Sequence, residues 1–319
     1  MTADHSLFVE PDDCRGPLLQ ALAAAQGSIV LTIYELTDAD VIAALLAARA
    51  RGVAVSVIYN WCSFTQADQQ GGVMAAVRSL AEAGAQCQPA SAGFEVTHEK
   101  AFVIDGTTAI VMSLNLMPNY FGKTRDFAII TSVPAEVAEI AVVFQADQSF
   151  APITPTQATL VWSPVNARSR LTQLISNAQY SLDIYCEEVS DPGILAALVA
   201  AARRQVRVRL IAAVLGSPSN NGNARGINTL QQGGVDAGCK DFLYIHAKMI
   251  LADAGQPGAQ AYVGSENFSS TSLDKNRECG ILVQDAGILD RLATVFTADW
   301  ARPDVIVSPA GAPPVATAG

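Results

Sequence analysis

The sequence is short of the features that would place it in a special class. No apolar run is long enough to span a bilayer, because Asp, Glu, Lys or Arg interrupts every stretch. The six cysteines (Cys14, Cys62, Cys87, Cys186, Cys239 and Cys279) contain no C-x-x-C pair, which argues against a zinc knuckle or a thioredoxin motif. Their even number leaves disulfides and buried free thiols equally open. Basic residues are scarce: 20 Lys+Arg against 30 Asp+Glu give a net charge of −10, which disfavours a diffuse cationic surface for nucleic acid. Charged residues make up 16% of the chain and apolar ones 50%, a balance that excludes disorder, collagen-like repeats and a small disulfide scaffold. No basic-then-apolar leader opens the sequence at Met1. The first strand is expected to begin already at Leu7, so a leader removed by processing, with secretion or a periplasmic location, stands beside a cytoplasmic one.

What the sequence does contain is itself, twice. At an offset of 153, Pro11 falls on Pro164, Gln26 on Gln179, Ser28 on Ser181, Glu35 on Glu188 and Asp38 on Asp191. Ala43-Ala44-Leu45 falls on Ala196-Ala197-Leu198, and with small gaps Gly84 meets Gly234. Val-Phe-x-Ala-Asp ends both copies, at Phe144/Asp147 and Phe296/Asp299. Two copies of this length are too few for a solenoid and predict a duplicated domain packed about a pseudo-twofold axis. The boundary is expected in Ala151–Gln157, giving domains 1–156 and 157–307 and a disordered Pro- and Ala-rich tail at 308–319. The first 156 residues carry 7 basic and 16 acidic side chains, and the remainder 13 and 14.

Within each copy, strand-like and helix-like patterns alternate. Ser28–Glu35 and Val53–Tyr59 read as strands. Asp40–Arg51 and Val73–Glu82 read as helices, the second ending at Gly84. The alternation predicts an α/β fold of two similar domains, each a mostly parallel sheet flanked by helices, with the site beyond the carboxyl ends of the strands.

Only three histidines occur, and two share one pattern: His98-x-Lys100-x4-Asp105 and His246-x-Lys248-x4-Asp253. With 5 Lys and 19 Asp in the chain, about 0.003 such matches are expected by chance. A second cluster follows each: Met112-Ser113-Leu114-Asn115 then Arg125-Asp126-Phe127, and Gly264-Ser265-Glu266-Asn267 then Asn276-Arg277-Glu278. On a strand, residues two apart face the same side, so His98 and Lys100 point together, as do Ser113 and Asn115 and their counterparts. Joined, the halves would surround one pocket with two imidazoles, two ammoniums, two hydroxyls and two carboxamides, a donor-rich cage for a tetrahedral anion. Two histidines suit a two-step displacement in which one attacks phosphorus and the other protonates the leaving oxygen. Asp126 and Glu278 are the candidates to hold the rings.

These duplicated motifs resemble those of the phospholipase D superfamily, over roughly Leu7 to Trp300, as a two-motif, single-chain member. The resemblance implies a metal-independent, cofactor-free phosphodiesterase. His98 would form the phosphohistidine, and His246 would act as general acid and then base. Lys100, Lys248, Asn115 and Asn267 would bind the phosphoryl oxygens, with Ser113 and Ser265 among the phosphate ligands. Asp126 would bond the imidazole of His98 and Glu278 that of His246. Asp105 and Asp253 would be structural. Met112 stands where the family has Gly, which puts a bulky side chain beside the expected pocket. Ten residues, in place of six, separate Asp253 from Gly264, read as a longer hairpin turn away from the site.

Other features have plain readings beside functional ones. Glu35 and Glu188 stand at equivalent strand ends, where a turn before a helix explains them as well as contact with the site. Trp61, Phe64, Tyr120, Phe121 and Phe268 fit an acyl chain, a stacked base or ordinary packing. The segments Trp61–Gly72 and Gly216–Gly226 read as loops that either gate the cleft or simply cover the surface. Arg203, Arg204, Arg207 and Arg209 are expected to form a solvated face.

The expected substrate is a phospholipid, hydrolysed to phosphatidic acid and alcohol with transfer to other alcohols. A monomer in transient contact with a membrane surface would carry this out. A nuclease of the same superfamily, cardiolipin synthase-like phosphatidyl transfer and a non-enzymatic binding module are the alternatives.

Overall fold

The computed structural model describes residues 4–61 and 67–308. The first half contains strands β1 (His5–Glu10), β2 (Ser28–Ile33), β3 (Ala54–Tyr59), β4 (Gln86–Pro89), β5 (Ala101–Ile104), β6 (Thr108–Met112) and β7 (Thr124–Thr131). Its helices are α1 (Gly16–Ala24), α2 (Ala39–Ala50), α3 (Ala67–Glu82) and α4 (Pro134–Gln148). The second half contains β8 (Leu160–Ser163), β9 (Ser181–Cys186), β10 (Arg207–Ala213), β11 (Gly216–Ser217), β12 (Asn220–Asn221), β13 (Asp236–Lys240), β14 (Tyr244–Ile245), β15 (Lys248–Ala252), β16 (Gln260–Gly264) and β17 (Glu278–Val283). Its helices are α5 (Ala167–Asn177), α6 (Pro192–Arg203), α7 (Ala224–Gln232), α8 (Ser270–Asp274) and α9 (Ala286–Trp300).

The duplication is complete at the level of topology. One sheet runs β1-β7-β6-β5-β2-β3-β4, and the other β8-β17-β16-β15-β9-β10-β13, the same order in equivalent strands. The α/β class and the two-domain repeat stand, but the sheets are mixed rather than mostly parallel. Within each half, parallel pairing is confined to β2-β3-β4 and β9-β10-β13, and the short β14 of the second half adds in parallel to β7 of the first. The strand–helix alternation that predicts parallel pairing ends after β4 and β13. From there, short turns link β5 to β6 and β15 to β16, and such turns can only join antiparallel neighbours.

Local chemistry explains the repeated residues. Asp38 and Asp191 cap the N-termini of α2 and α6, and each carboxylate also holds an arginine, Arg15 and Arg168. Asp105 accepts backbone hydrogen bonds from Gln26, Gly27 and Ser28, and Asp253 from Gln179, Tyr180 and Ser181. Each aspartate thus ties the far end of its strand to the turn that opens the neighbouring one. The extra residues after Asp253 form the β15–β16 turn at that same end, away from His246. Gly216–Gly226 is not a featureless loop: it holds the β11–β12 hairpin and the start of α7. Of Trp61–Gly72, residues 62–66 lie outside the described residues, as do Phe64 and Cys62. The five described cysteines are free thiols. No helix among the described residues is long and apolar enough to cross a membrane.

The two sheets pack against each other across a shared apolar core. Val103, Val111 and Ile129 of the first half meet Tyr185, Ile211, Val263 and Ile281 of the second, with α4 and α9 closing its flanks. Two buried ion pairs cross this interface reciprocally. Arg125 donates to Asp299 at 2.6 and 3.1 Å, and Arg277 to Asp147 at 2.6 Å. The aspartates are those of the repeated Val-Phe-x-Ala-Asp. Removing one partner leaves a charge buried without compensation. Asp299→Ala is therefore expected to lower stability by about 3–5 kcal/mol, read from the urea midpoint, and Arg125→Ala by a similar amount.

Candidate active site

The parallel strands bring the site to one edge. β2 and β9 end at Ile33 and Cys186, and the residues just beyond, Tyr34-Glu35 and Glu187-Glu188, reach a cavity of about 460 Å³. β5 and β15 run antiparallel to them, so the His-x-Lys segments enter at the same edge. His98, His246, Asn115, Asn267, Tyr120, Tyr244 and Leu215 complete the wall.

Each histidine is held by the opposite half. The backbone N–H groups of His98 and Glu99 donate to Arg277 O, and those of His246 and Ala247 to Arg125 O. This stitching sets each ring beside the next residue of the other half's strand. His98 Nδ1 lies 2.8 Å from Glu278 Oε2, and His246 Nδ1 lies 3.0 Å from Asp126 Oδ1. The pairing expected from motif order, Asp126 with His98 and Glu278 with His246, is thus crossed. Sequence proximity misleads here because β7 and β17 each run into the partner half's site. Glu278 is fixed in turn by Ser272 and Asn276, and Asp126 by Ser113 and Thr124.

Ser113 and Ser265 do not meet the cavity. Both are fully buried. Ser113 donates to Asp126 Oδ1 at 2.6 Å and accepts from Phe127 N; Ser265 bonds the Cys279 backbone. Their hydroxyls brace neighbouring strands and are not phosphate ligands. Met112 does not narrow the cavity either, since it lies fully buried in the outer core of the first half. Gly264 cannot follow it, because a Cβ there would run into the Tyr262 hydroxyl and the Gly280 Cα. Ile110 and Ala128 at the matching first-half positions leave room for the methionine.

The lysines are buried and inequivalent. Lys100 Nζ donates to His98 O at 2.7 Å and sits 5.3 Å from the Tyr34 ring centre. Lys248 Nζ donates to His246 O at 2.6 Å and forms an ion pair with Glu187 at 2.7 Å. Burial and the nearby Lys248 charge push Lys100 down to about 7. Burial, reinforced by the Lys100 charge and opposed by Glu278, lowers His98 to about 4, so its ring is neutral at pH 7. Burial raises Glu35 to about 7. Glu187 is held well below the usual carboxylate range: burial opposes this, but Lys248 and His246 outweigh it.

Sequence reasoning missed Glu187, Tyr34 and Tyr244. Tyr34 lies edge-on to His98 at 4.9 Å, and Tyr244 stacks beside His246 at 6.1 Å. The available signal was a mismatch: at offset 153, Glu187 falls on Tyr34 and breaks the repeat one residue before Glu35/Glu188 restore it. Among the aromatic candidates, Tyr120 lines the cavity, whereas Phe121 and Phe268 are core residues. Trp61 is 43% exposed, outside the cavity wall. The arginine patch is structural in part, since Arg209 chelates Asp183 and Arg204 bonds the carbonyls of Ile175, Ser176 and Ala178.

These ionisations predict a bell-shaped dependence of kcat/KM on pH. Activity rises as His98 loses its proton near pH 4 and falls as Lys100 loses its charge near pH 7. Lys100→Arg is expected to move the alkaline limb upward, and an unmoved limb would assign it to another group.

Comparison with known proteins agrees with this architecture. A mitochondrial cardiolipin hydrolase from Xenopus tropicalis is 26% identical over 206 residues, 63% of this chain and 90% of that protein. A phosphatidylserine synthase from Haemophilus influenzae superposes with a TM-score of 0.71 at 12% identity, covering 92% of this chain and 84% of that one. A polyphosphate kinase from Porphyromonas gingivalis gives a TM-score of 0.73 at 16% identity over 92% of this chain, which spans 46% of the kinase. At such identities the superpositions show a shared fold. Residues 18–148 and 171–300 each match the family described as the cardiolipin synthase, phospholipase D-like domain. With two copies of that domain covering most of its length, the chain belongs to the phospholipase D superfamily.

Proposed function

We propose that the protein is a phospholipase D-type phosphodiesterase acting on phospholipids. The observation that carries the reading is the pair of imidazoles lining one cavity, each with Nδ1 bound to a buried carboxylate of the opposite half. With Nδ1 taken, Nε2 is the nitrogen each ring has for the reaction; that of His246 lies 3.6 Å from Glu187 Oε2 in the resting protein. His98, neutral at pH 7, attacks phosphorus through Nε2; an N–P bond forms and the P–O bond to the alcohol breaks. His246 gives its Nε2 proton to the departing oxygen. Water, or a second alcohol, then attacks the phosphohistidine. His246 takes its proton, the N–P bond breaks, and phosphatidic acid or an exchanged phosphatidyl ester leaves. Lys100 and Asn115, the latter in the cavity wall, would hold the phosphoryl oxygens. No metal takes part in these steps, and EDTA is expected to leave turnover unchanged.

A lipid fits better than nucleic acid because Glu187 and Glu188 stand in the cavity wall and the chain carries a net charge of −10, both of which oppose docking of a long polyanionic strand. Two of the similar proteins are named for phospholipid chemistry, cardiolipin hydrolysis and phosphatidylserine synthesis. The protein would work as a monomer in passing contact with a membrane surface.

Product analysis tests this on vesicles of phosphatidylcholine, phosphatidylethanolamine and phosphatidylglycerol, with single-stranded DNA and RNA alongside and ethanol added or omitted. Phosphatidic acid, joined by phosphatidylethanol when ethanol is present, is the expected result. Cleaved nucleic acid with intact lipid would overturn it. His98→Ala and His246→Ala are each expected to lower turnover at least about 10³-fold while keeping the fold.

A further inference from the structure

The two half-sites differ at one pair of positions. In the first half, Tyr34 offers its ring to Lys100 and its edge to His98. The second half has Glu187 there. Its Oε2 lies 2.7 Å from Lys248 Nζ, 3.2 Å from Asn267 Nδ2 and 3.6 Å from His246 Nε2. Its Oε1 accepts from the Tyr244 hydroxyl at 2.6 Å. One carboxylate therefore engages the lysine, asparagine and histidine of the second motif together. Those are the three groups that a bound phosphoryl oxygen would require.

The first half-site is differently supplied. Among the described residues no carboxylate forms an ion pair with Lys100, and Asn115 stands in the cavity wall. Lys248 is fully buried and needs a counter-charge, which Glu187 supplies in the resting protein. A phosphate anion would supply the same charge to the same donors. Two anions cannot share them, because like charges a few ångströms apart in a poorly solvated site repel strongly.

We propose that Glu187 is a tethered anion occupying the second motif's half of the phosphate seat. An incoming phosphoryl group displaces it, so Glu187 sets the anion affinity of the site. The ligand's identity as a phosphoryl group rests on the phosphodiesterase reading; the competition itself rests on the contacts. Entry is then ordered. The anion meets His98, Lys100 and Asn115 first, and gains Lys248 and Asn267 as the Glu187 carboxylate withdraws. Tyr244, 39% exposed, is the tether that holds the carboxylate inward.

Inorganic phosphate titrated calorimetrically into wild type, Glu187→Gln and Tyr244→Phe tests the proposal. If the carboxylate fills the seat in nine molecules out of ten, its removal tightens phosphate binding about tenfold. Tyr244→Phe, which cuts the tether on Oε1 at an exposed position and keeps the fold, is expected to tighten it about threefold. Unchanged or weaker binding in both variants overturns the proposal, and so does phosphate binding to none of the three proteins. Should Glu187→Gln fail to fold, Tyr244→Phe decides by the same criterion. The titration involves no turnover. A protein that never cleaves phospholipid can still show the tightening, and an active phospholipase with unaltered phosphate affinity sinks this proposal alone.

Discussion

The reciprocal grip between the halves is the constraint on which the rest depends. Each half sends one strand, β7 or β17, across the interface, and the arginine near its start does two jobs there. Its carbonyl accepts the N–H groups of the partner's histidine segment, and its guanidinium is neutralised by the partner's aspartate. The next residue is the carboxylate that holds the partner's imidazole. Fold and site are therefore built from the same dipeptides, Arg125-Asp126 and Arg277-Glu278. Neither half on its own can orient its histidine, because the orienting carboxylate belongs to the other.

Around that grip the protein buries an unusual amount of charge. Lys100 and Lys248 are fully buried, as are Glu278 and Asp126. Removing an ion from water costs several kcal/mol even when it is paired. Part of the offset comes from the two-sheet apolar core, which draws side chains from both halves and both flanking helices. The rest comes from local satisfaction: Ser272 and Asn276 on Glu278, Ser113 and Thr124 on Asp126, and a main-chain carbonyl on each lysine. A site so braced is preorganised for charge that appears during a reaction, since its dipoles need not turn to meet it.

The duplication does not make the half-sites alike. Tyr34 and Glu187 diverge at equivalent strand ends, and each histidine takes a different environment from its neighbour. An aromatic edge and a lysine with no carboxylate ion pair among the described residues surround His98, whereas an ion pair and two tyrosine rings surround His246. Such asymmetry would serve the proposed two-step displacement, one imidazole to attack and the other to move a proton.

The sequence by itself determined the duplication, the superfamily and the edge of the sheet where the chemistry lies. Those follow from local facts: the 153-residue offset, the His-x-Lys-x4-Asp spacing and the period of a strand. The motif spacing also placed Asp105 and Asp253 at the far ends of their strands, although the turns they hold, at Gln26–Ser28 and Gln179–Ser181, lie more than 70 residues earlier. Only the tertiary structure decided which carboxylate serves which histidine, because that depends on two strands 120 and 180 residues distant crossing one interface. It decided that Ser113 and Ser265 face neighbouring strands and not the cavity, although alternation alone put them with Asn115 and Asn267. It turned a sheet expected to be mostly parallel into a mixed one. Glu187 was hidden for the same reason. Comparing the repeats rewards positions that match, whereas a carboxylate set among Lys248, Asn267 and His246 exists only once β9, β15 and the loop after β16 have come together.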